Sequence, residues 1–157
     1  MSSKYLDNYL VVDRLEFNNE IDKIPGEFDA VICSHVIEHC DDRNATIKSF
    51  SQKLKNGGTL YLSFPSEDSV NFPSRGGLNY YDDKTHKEEP PKIKEVLKEL
   101  EKYNIIPIYK TKRYRPIILY LIGFITDLIC MITDKRIFSV WEKWGFESII
   151  IGKKISE

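Results

Sequence analysis

The chain of 157 residues is 41% hydrophobic and 30% charged, with 23 lysines and arginines against 24 aspartates and glutamates, for a formal net charge of −1. This is the composition of one globular domain large enough for a core of its own. The charge balance excludes a global basic field that would draw the chain to nucleic acid. The three cysteines, Cys33, Cys40 and Cys130, are odd in number, and Cys33 and Cys130 lie in apolar runs, so they read as reduced core thiols. The start, Met1-Ser2-Ser3-Lys4-Tyr5, has no apolar signal core, and a cytoplasmic location is expected.

In chain order, Tyr9-Leu10-Val11-Val12-Asp13 is a short β-branched strand candidate ending in an acid. After the turn Pro25-Gly26, the run Phe28 to Ser34 has the continuous apolar character of a strand buried on both faces of a parallel sheet. Asp41-Asp42 caps a helix over Ala45, Ile47, Phe50 and Leu54, which Asn56-Gly57-Gly58 is expected to stop. Thr59 to Phe64 is the next strand, closed by Pro65. An irregular loop, 66–89, follows, and a loop of that length inside a small domain reads as a functional lid. Pro90-Pro91 starts a helix with Ile93, Val96, Leu97, Leu100 and Tyr103 on one face. Ile105–Tyr109 and Ser148–Lys153 are the last two strands. Strands alternating with helices predict an α/β fold, a mostly parallel Rossmann-like sheet with an antiparallel final strand, in one domain over 1–157.

Between those strands an apolar helix is inserted over 116–136. Its segment 117–133 holds one charge, Asp127, and one glycine, Gly123, and is flanked by Lys110, Lys112, Arg113 and Arg115 before and Lys135 and Arg136 after. A membrane span needs roughly twenty apolar residues and does not favour a central acid. Peripheral membrane contact is a second reading. A buried or dimer-forming helix is the favoured one.

All three histidines fall in two segments, His35-Val36-Ile37-Glu38-His39 and Tyr80-Tyr81-Asp82-Asp83-Lys84-Thr85-His86. Residues i, i+3 and i+4 share a helix face, so His35, Glu38 and His39 can converge, and a lid loop folding back would add His86. The strand-end position is where an open α/β sheet places its chemistry. The string H-x-x-E-H also matches an inverted zinc-protease pattern, but that motif belongs inside a long helix, and here it follows a strand within one residue. No G-x-S-x-G elbow supports a serine hydrolase.

The segment Phe28-Asp29-Ala30-Val31-Ile32-Cys33-Ser34-His35-Val36-Ile37-Glu38-His39 resembles the fourth-strand motif of class I S-adenosylmethionine-dependent methyltransferases. Leu54-Lys55-Asn56-Gly57-Gly58-Thr59-Leu60-Tyr61-Leu62-Ser63 resembles the fifth-strand motif of that family, with Asn56 in the usual proline position. Trp144-Gly145-Phe146-Glu147 is similar to its closing hairpin, and the loop Asn79 to His86 resembles a subgroup acting on sugars and polysaccharides. None of the eight glycines forms the family's G-x-G turn. If Tyr9–Asp13 is the third strand of the family, the first two strands and the glycine-rich cofactor motif are lacking.

The resemblance implies O-methyl transfer from S-adenosylmethionine to a small-molecule or saccharide acceptor of polysaccharide biosynthesis, in truncated or degenerate form. The alternative is a non-catalytic module that pairs with itself, or with a partner supplying the missing half, through an exposed sheet edge. His39 and His86 would be the bases, supported by Glu38. Asp13, Leu15, Ser34 and His35 would contact the cofactor, and Arg75, Tyr80 and Tyr81 the acceptor. Relatives with E-x-x-E-H hold a divalent metal at this motif. His35 stands here in place of the first glutamate, and no metal is expected.

Overall fold

The computed structural model describes residues 7–156. Its helices are α1 (Phe17–Lys23), α2 (Arg43–Gln52), α3 (Ile93–Glu101), α4 (Ile117–Thr133) and α5 (Val140–Trp144), and its strands are β1 (Phe28–Ser34), β2 (Leu54–Pro65), β3 (Ile105–Thr111) and β4 (Glu147–Lys154). The strands form one sheet in the order β1-β2-β4-β3. β1 and β2 are parallel and joined through α2, while β4 runs antiparallel to both β2 and β3. Three strands therefore share one direction and the last is reversed, as the alternation of elements predicts.

Local chemistry sets most boundaries. Asp42 caps α2 by accepting from the Ala45 amide at 2.9 Å. The expected stop at Asn56-Gly57-Gly58 lies instead inside β2, because the chain leaves the helix at Lys53 and Leu54 already pairs with Phe28. The register then jumps from Phe28↔Leu54 to Ala30↔Thr59, so residues 55–58 bulge out of the ladder. Gly57 has φ +79°, and a Cβ on Gly58 would sit 2.8 Å from the Lys55 carbonyl oxygen, so both glycines are required by the bulge.

The main core joins the sheet to α2 and α3 through Cys33, Ile47, Leu60, Leu62, Phe64, Val96, Leu100 and Ile150. The thiol of Cys33 is pushed up by burial, and all three cysteines are free. A second cluster, Phe72, Leu78, Cys130, Val140 and Phe146, ties the loop after β2 to α4 and α5.

Three expectations are corrected. Tyr9–Asp13 forms no strand: Tyr9, Leu10 and Val11 are exposed and pair with no strand among the described residues, and an extended segment without a ladder partner does not become a strand. β1 is not buried on both faces. It is an edge strand of the sheet, and only Cys33 of its seven residues is buried, while Ile32 is 75% exposed. Of the two favoured readings of α4, buried or dimer-forming, the buried one is overturned. The helix buries only Gly123, Asp127 and Cys130 and turns its large apolar side chains outward.

The reason for the third correction is the single acid. Asp127 is buried and accepts from Arg75 Nη2 at 3.0 Å, from Trp144 Nε1 at 3.1 Å and from Lys143 Nζ. Burial by itself would raise its carboxyl, but the hydrogen bonds from Lys143 and Arg75 outweigh that and hold it below the usual carboxylate range. A charge so bound must face its partners, so the helix rolls its polar stripe inward. Gly123 allows the close approach, since a Cβ there would meet Lys143 Cβ at 2.4 Å.

Candidate active site

β1 ends at Ser34, and His35 turns the chain with a left-handed φ of 52° while its amide donates to the Ser63 carbonyl at 2.9 Å. A 3-10 turn, Ile37–His39, follows. The expected helix over His35 to His39 is thus a strand end and one tight turn. The same three residues still converge, because the turn is short enough to bring side chains three and four apart together.

His35 is held at both ring nitrogens, with Nδ1 3.1 Å from Glu38 Oε1 and Nε2 2.6 Å from Glu147 Oε1, and its ring stacks on Phe146 at 6.1 Å. Burial would lower its pKa, but the hydrogen bonds to Glu147 and Glu38 prevail and raise it to about 9. His35 is therefore an imidazolium at neutral pH, with no lone pair for a proton or a metal.

His39 and His86 differ from it. Thr85 Oγ1 donates to Asp83 Oδ1 at 2.6 Å, and its distance to His39 Nδ1 is 2.9 Å. With the only hydroxyl proton directed at Asp83, His39 Nδ1 carries the ring proton, and Nε2 keeps a lone pair in the neutral ring. His86 Nδ1 donates to the Tyr80 carbonyl at 2.6 Å, which likewise leaves Nε2 as the lone-pair nitrogen. The two rings lie 4.9 Å apart, and His86 stacks on Tyr80 at 4.1 Å. The Lys87 amide donates to the Glu38 carbonyl at 3.1 Å and so ties the loop after β2 to the turn. The loop 66–89 thus folds back over the strand end.

Glu38 completes the group. It is 1% exposed, and its Oε2 is buried without a hydrogen-bond partner among the described residues. Glu38, His39 and His86 each offer a ligand atom within 4.8 Å of the others. Two imidazoles and one carboxylate suit a borderline divalent ion such as zinc better than magnesium, which prefers oxygen.

Two clefts meet at this turn. The first, about 980 Å³, is lined by Glu38, His86, Asn79, Lys84, Arg136 and Trp141 among others. The second, about 490 Å³, is lined by Leu15, Phe17, Val36 and Asp42 among others. His35 and His39 line both.

Several expected contact residues are placed elsewhere. Tyr80 is fully buried and donates its hydroxyl to the Glu88 carbonyl at 2.9 Å, and burial pushes its pKa up to about 12, so it supports His86 and cannot touch a ligand. Tyr81 is exposed, packs edge-on against Tyr80 and lines neither cleft. Asp13 also lines neither; its Oδ1 accepts from the Leu15 amide at 2.8 Å. Ser34 is hydrogen-bonded to Ser63 and faces a separate, smaller cavity. Arg75 does line the first cleft, with one guanidinium nitrogen on Asp127. The sequence reading missed Thr85, Glu147, Trp141 and Arg136. Glu147 and Phe146 lie in the Trp-Gly-Phe-Glu motif, which was read as a hairpin only, while Thr85 had no signal of its own beyond its place beside His86.

Comparison with known proteins fits this geometry. A 39-residue stretch is 51% identical to the ubiquinone biosynthesis O-methyltransferase of Xanthomonas campestris, covering 25% of this chain and 16% of that relative. The chain thus matches about a sixth of the curated relative's length. The structure aligns with a SAM-dependent methyltransferase from Archaeoglobus fulgidus at a TM-score of 0.59 and 19% identity, over 94% of this chain and 67% of that one. It also aligns with the complex of the Haloferax volcanii Trm112 methyltransferase activator and its methyltransferase, at a TM-score of 0.55 and 12% identity, over 87% and 59%. These two show the shared Rossmann-like fold. The family described as a methyltransferase domain matches residues 5–149, nearly the whole chain, and this protein belongs to the methyltransferase-domain family.

Proposed function

We propose that this domain transfers the methyl group of S-adenosylmethionine to a hydroxyl oxygen. The observation that carries the reading is the pair of clefts that share His35 and His39 as a common wall. A donor in the smaller cleft, its adenine against Leu15 and Val36, and an acceptor in the larger one would meet across that wall. Held there, S-adenosylmethionine would supply its sulfonium methyl group to the acceptor oxygen, leaving S-adenosylhomocysteine and a methyl ether. The acceptor proton passes to His39 Nε2, with His86 Nε2 as the second basic nitrogen of the pair. Glu38 orients the turn, and the imidazolium of His35 holds its geometry through Glu38 and Glu147.

The acceptor side is rich in hydrogen-bonding groups. Asn79, Asp82, Asp83, Lys84 and Arg136 line the larger cleft, a polar lining that suits a hydroxylated acceptor such as a sugar. Calorimetry with S-adenosylmethionine, followed by detection of S-adenosylhomocysteine with a panel of nucleotide sugars and free sugars, tests the proposal. Micromolar donor binding with turnover supports it. Absence of donor binding overturns it in favour of a second reading, a module that pairs along β1. That reading is favoured by the open β1 edge, where Phe28 and Ile32 are exposed. Should a divalent ion bind, Glu38, His39 and His86 would hold it, and it would supply Lewis-acid polarisation of the acceptor oxygen.

A further inference from the structure

We infer that α4 is an in-plane membrane anchor that docks on anionic lipid headgroups. Ten large apolar residues of this helix are exposed, from Ile122 at 39% to Ile132 at 80%. At 100° per residue, the positions Ile117, Ile118, Leu121, Ile122, Phe124, Ile125, Leu128, Ile129, Met131 and Ile132 sweep an arc of roughly 180° with no charge in it. One packed partner helix covers a stripe of about 100°. An arc this wide on a convex cylinder is fitted by a medium that wraps it, and a bilayer surface does so. Phe138, 67% exposed just past the helix, extends the patch.

Charge selects the lipid. Arg115 before the arc and Lys135 and Arg136 after it are exposed, against one exposed acid, Asp134, so the helix ends carry net positive charge for headgroup phosphates, while Arg113 is turned onto the Trp144 carbonyl. The helix lies flat. Its 17 residues measure about 25 Å against a hydrocarbon core of about 30 Å. No helix among the described residues is long and apolar enough to cross a membrane. Its back is fixed to α5 and the loop after β2 by the buried Asp127 with Arg75, Lys143 and Trp144, which cannot follow it into lipid. Asp134 and Arg136, immediately after α4, line the larger cleft, so docking places the mouth of that cleft at the membrane surface.

Vesicle flotation of the full chain, with no methyl donor added, tests this independently of methyl transfer. The chain floats with mixed phosphatidylglycerol and phosphatidylcholine vesicles, and binding falls in pure phosphatidylcholine and at high salt. Ile125→Ser/Leu128→Ser lowers the partition coefficient about tenfold or more while the circular dichroism spectrum is retained. Lys135→Glu lowers it about fivefold on anionic vesicles only. A chain that stays in the aqueous fraction overturns the inference. So does light scattering that shows a dimer broken to monomers by Ile125→Ser/Leu128→Ser, which would assign the face to a second copy of the chain.

Discussion

The buried carboxyl groups of Asp127 and Glu38 differ in what they leave unbonded. Around Asp127, both carboxylate oxygens are taken by three donors from Arg75, Lys143 and Trp144. Around Glu38, the second carboxylate oxygen is buried without a hydrogen-bond partner among the described residues, and the Nε2 atoms of His39 and His86 lie 4.0 Å from Glu38 Oε1 and 3.9 Å from Asp83 Oδ2, respectively, beyond hydrogen-bond length. A saturated carboxylate fixes a helix in place. An unsaturated group beside a cleft retains the lone pairs that chemistry needs, and holding it there costs stability that the rest of the fold must supply.

The sharpest test of that contrast is activity. His39→Ala is expected to reduce methyl transfer by about 10²–10⁴-fold, and His86→Ala comparably, because a positioned base contributes on that scale, and His86→Ala, which lies outside the donor cleft, leaves S-adenosylmethionine affinity nearly unchanged. Full turnover in either variant would remove the replaced residue from the chemistry. Asp127→Ala is expected to act in the opposite register. Leaving Arg75 and Lys143 without their carboxylate should cost about 3–5 kcal/mol in urea unfolding. A loss within experimental error would show that Asp127 does not orient α4.

His35 belongs to the saturated kind although it stands in the site, and its pH dependence reports this. Its pKa rises from an ordinary 6.5 to about 9 on folding. Its contribution is therefore complete below pH 6.5, falls as pH climbs from there through about 9, and amounts to something on the order of 3 kcal/mol. Unfolding measured across that range should show the decline, and His35→Asn should flatten it. Smallest of all is the expected effect of Ile125→Ser on folding, within about 0.5 kcal/mol, since the side chain is 69% exposed and touches no core. A large loss would place it in an interior contact.

The elements with strong local signals were legible from residues alone. Asp42 and the apolar pattern of Ile93, Val96, Leu97 and Leu100 marked their helices, and Thr59–Phe64, Ile105–Tyr109 and Ser148–Lys153 marked three strands to within a few residues. The clustering of His35, Glu38 and His39 was visible too, though for a different backbone reason. Spacing of three and four brings side chains together in a 3-10 turn as it does in a helix, so the convergence survived the wrong geometry.

The sequence by itself determined the class of fold, the strand-end position of the histidine turn and the presence of an apolar helix with one acid. Only the tertiary structure decided which histidine is a cation and which can be a base, because that depends on Glu147 arriving from a strand more than a hundred residues away and on Thr85 and Tyr80 meeting the rings. It also decided that Tyr80 is support for His86, that Tyr9–Asp13 lacks a strand to pair with, and that α4 faces outward. The charge of His35 and the orientation of α4 are settled by partners distant in sequence. Periodicity reports which side of a segment is apolar, whereas hydrogen bonds and ion pairs between remote segments determine which side is turned in.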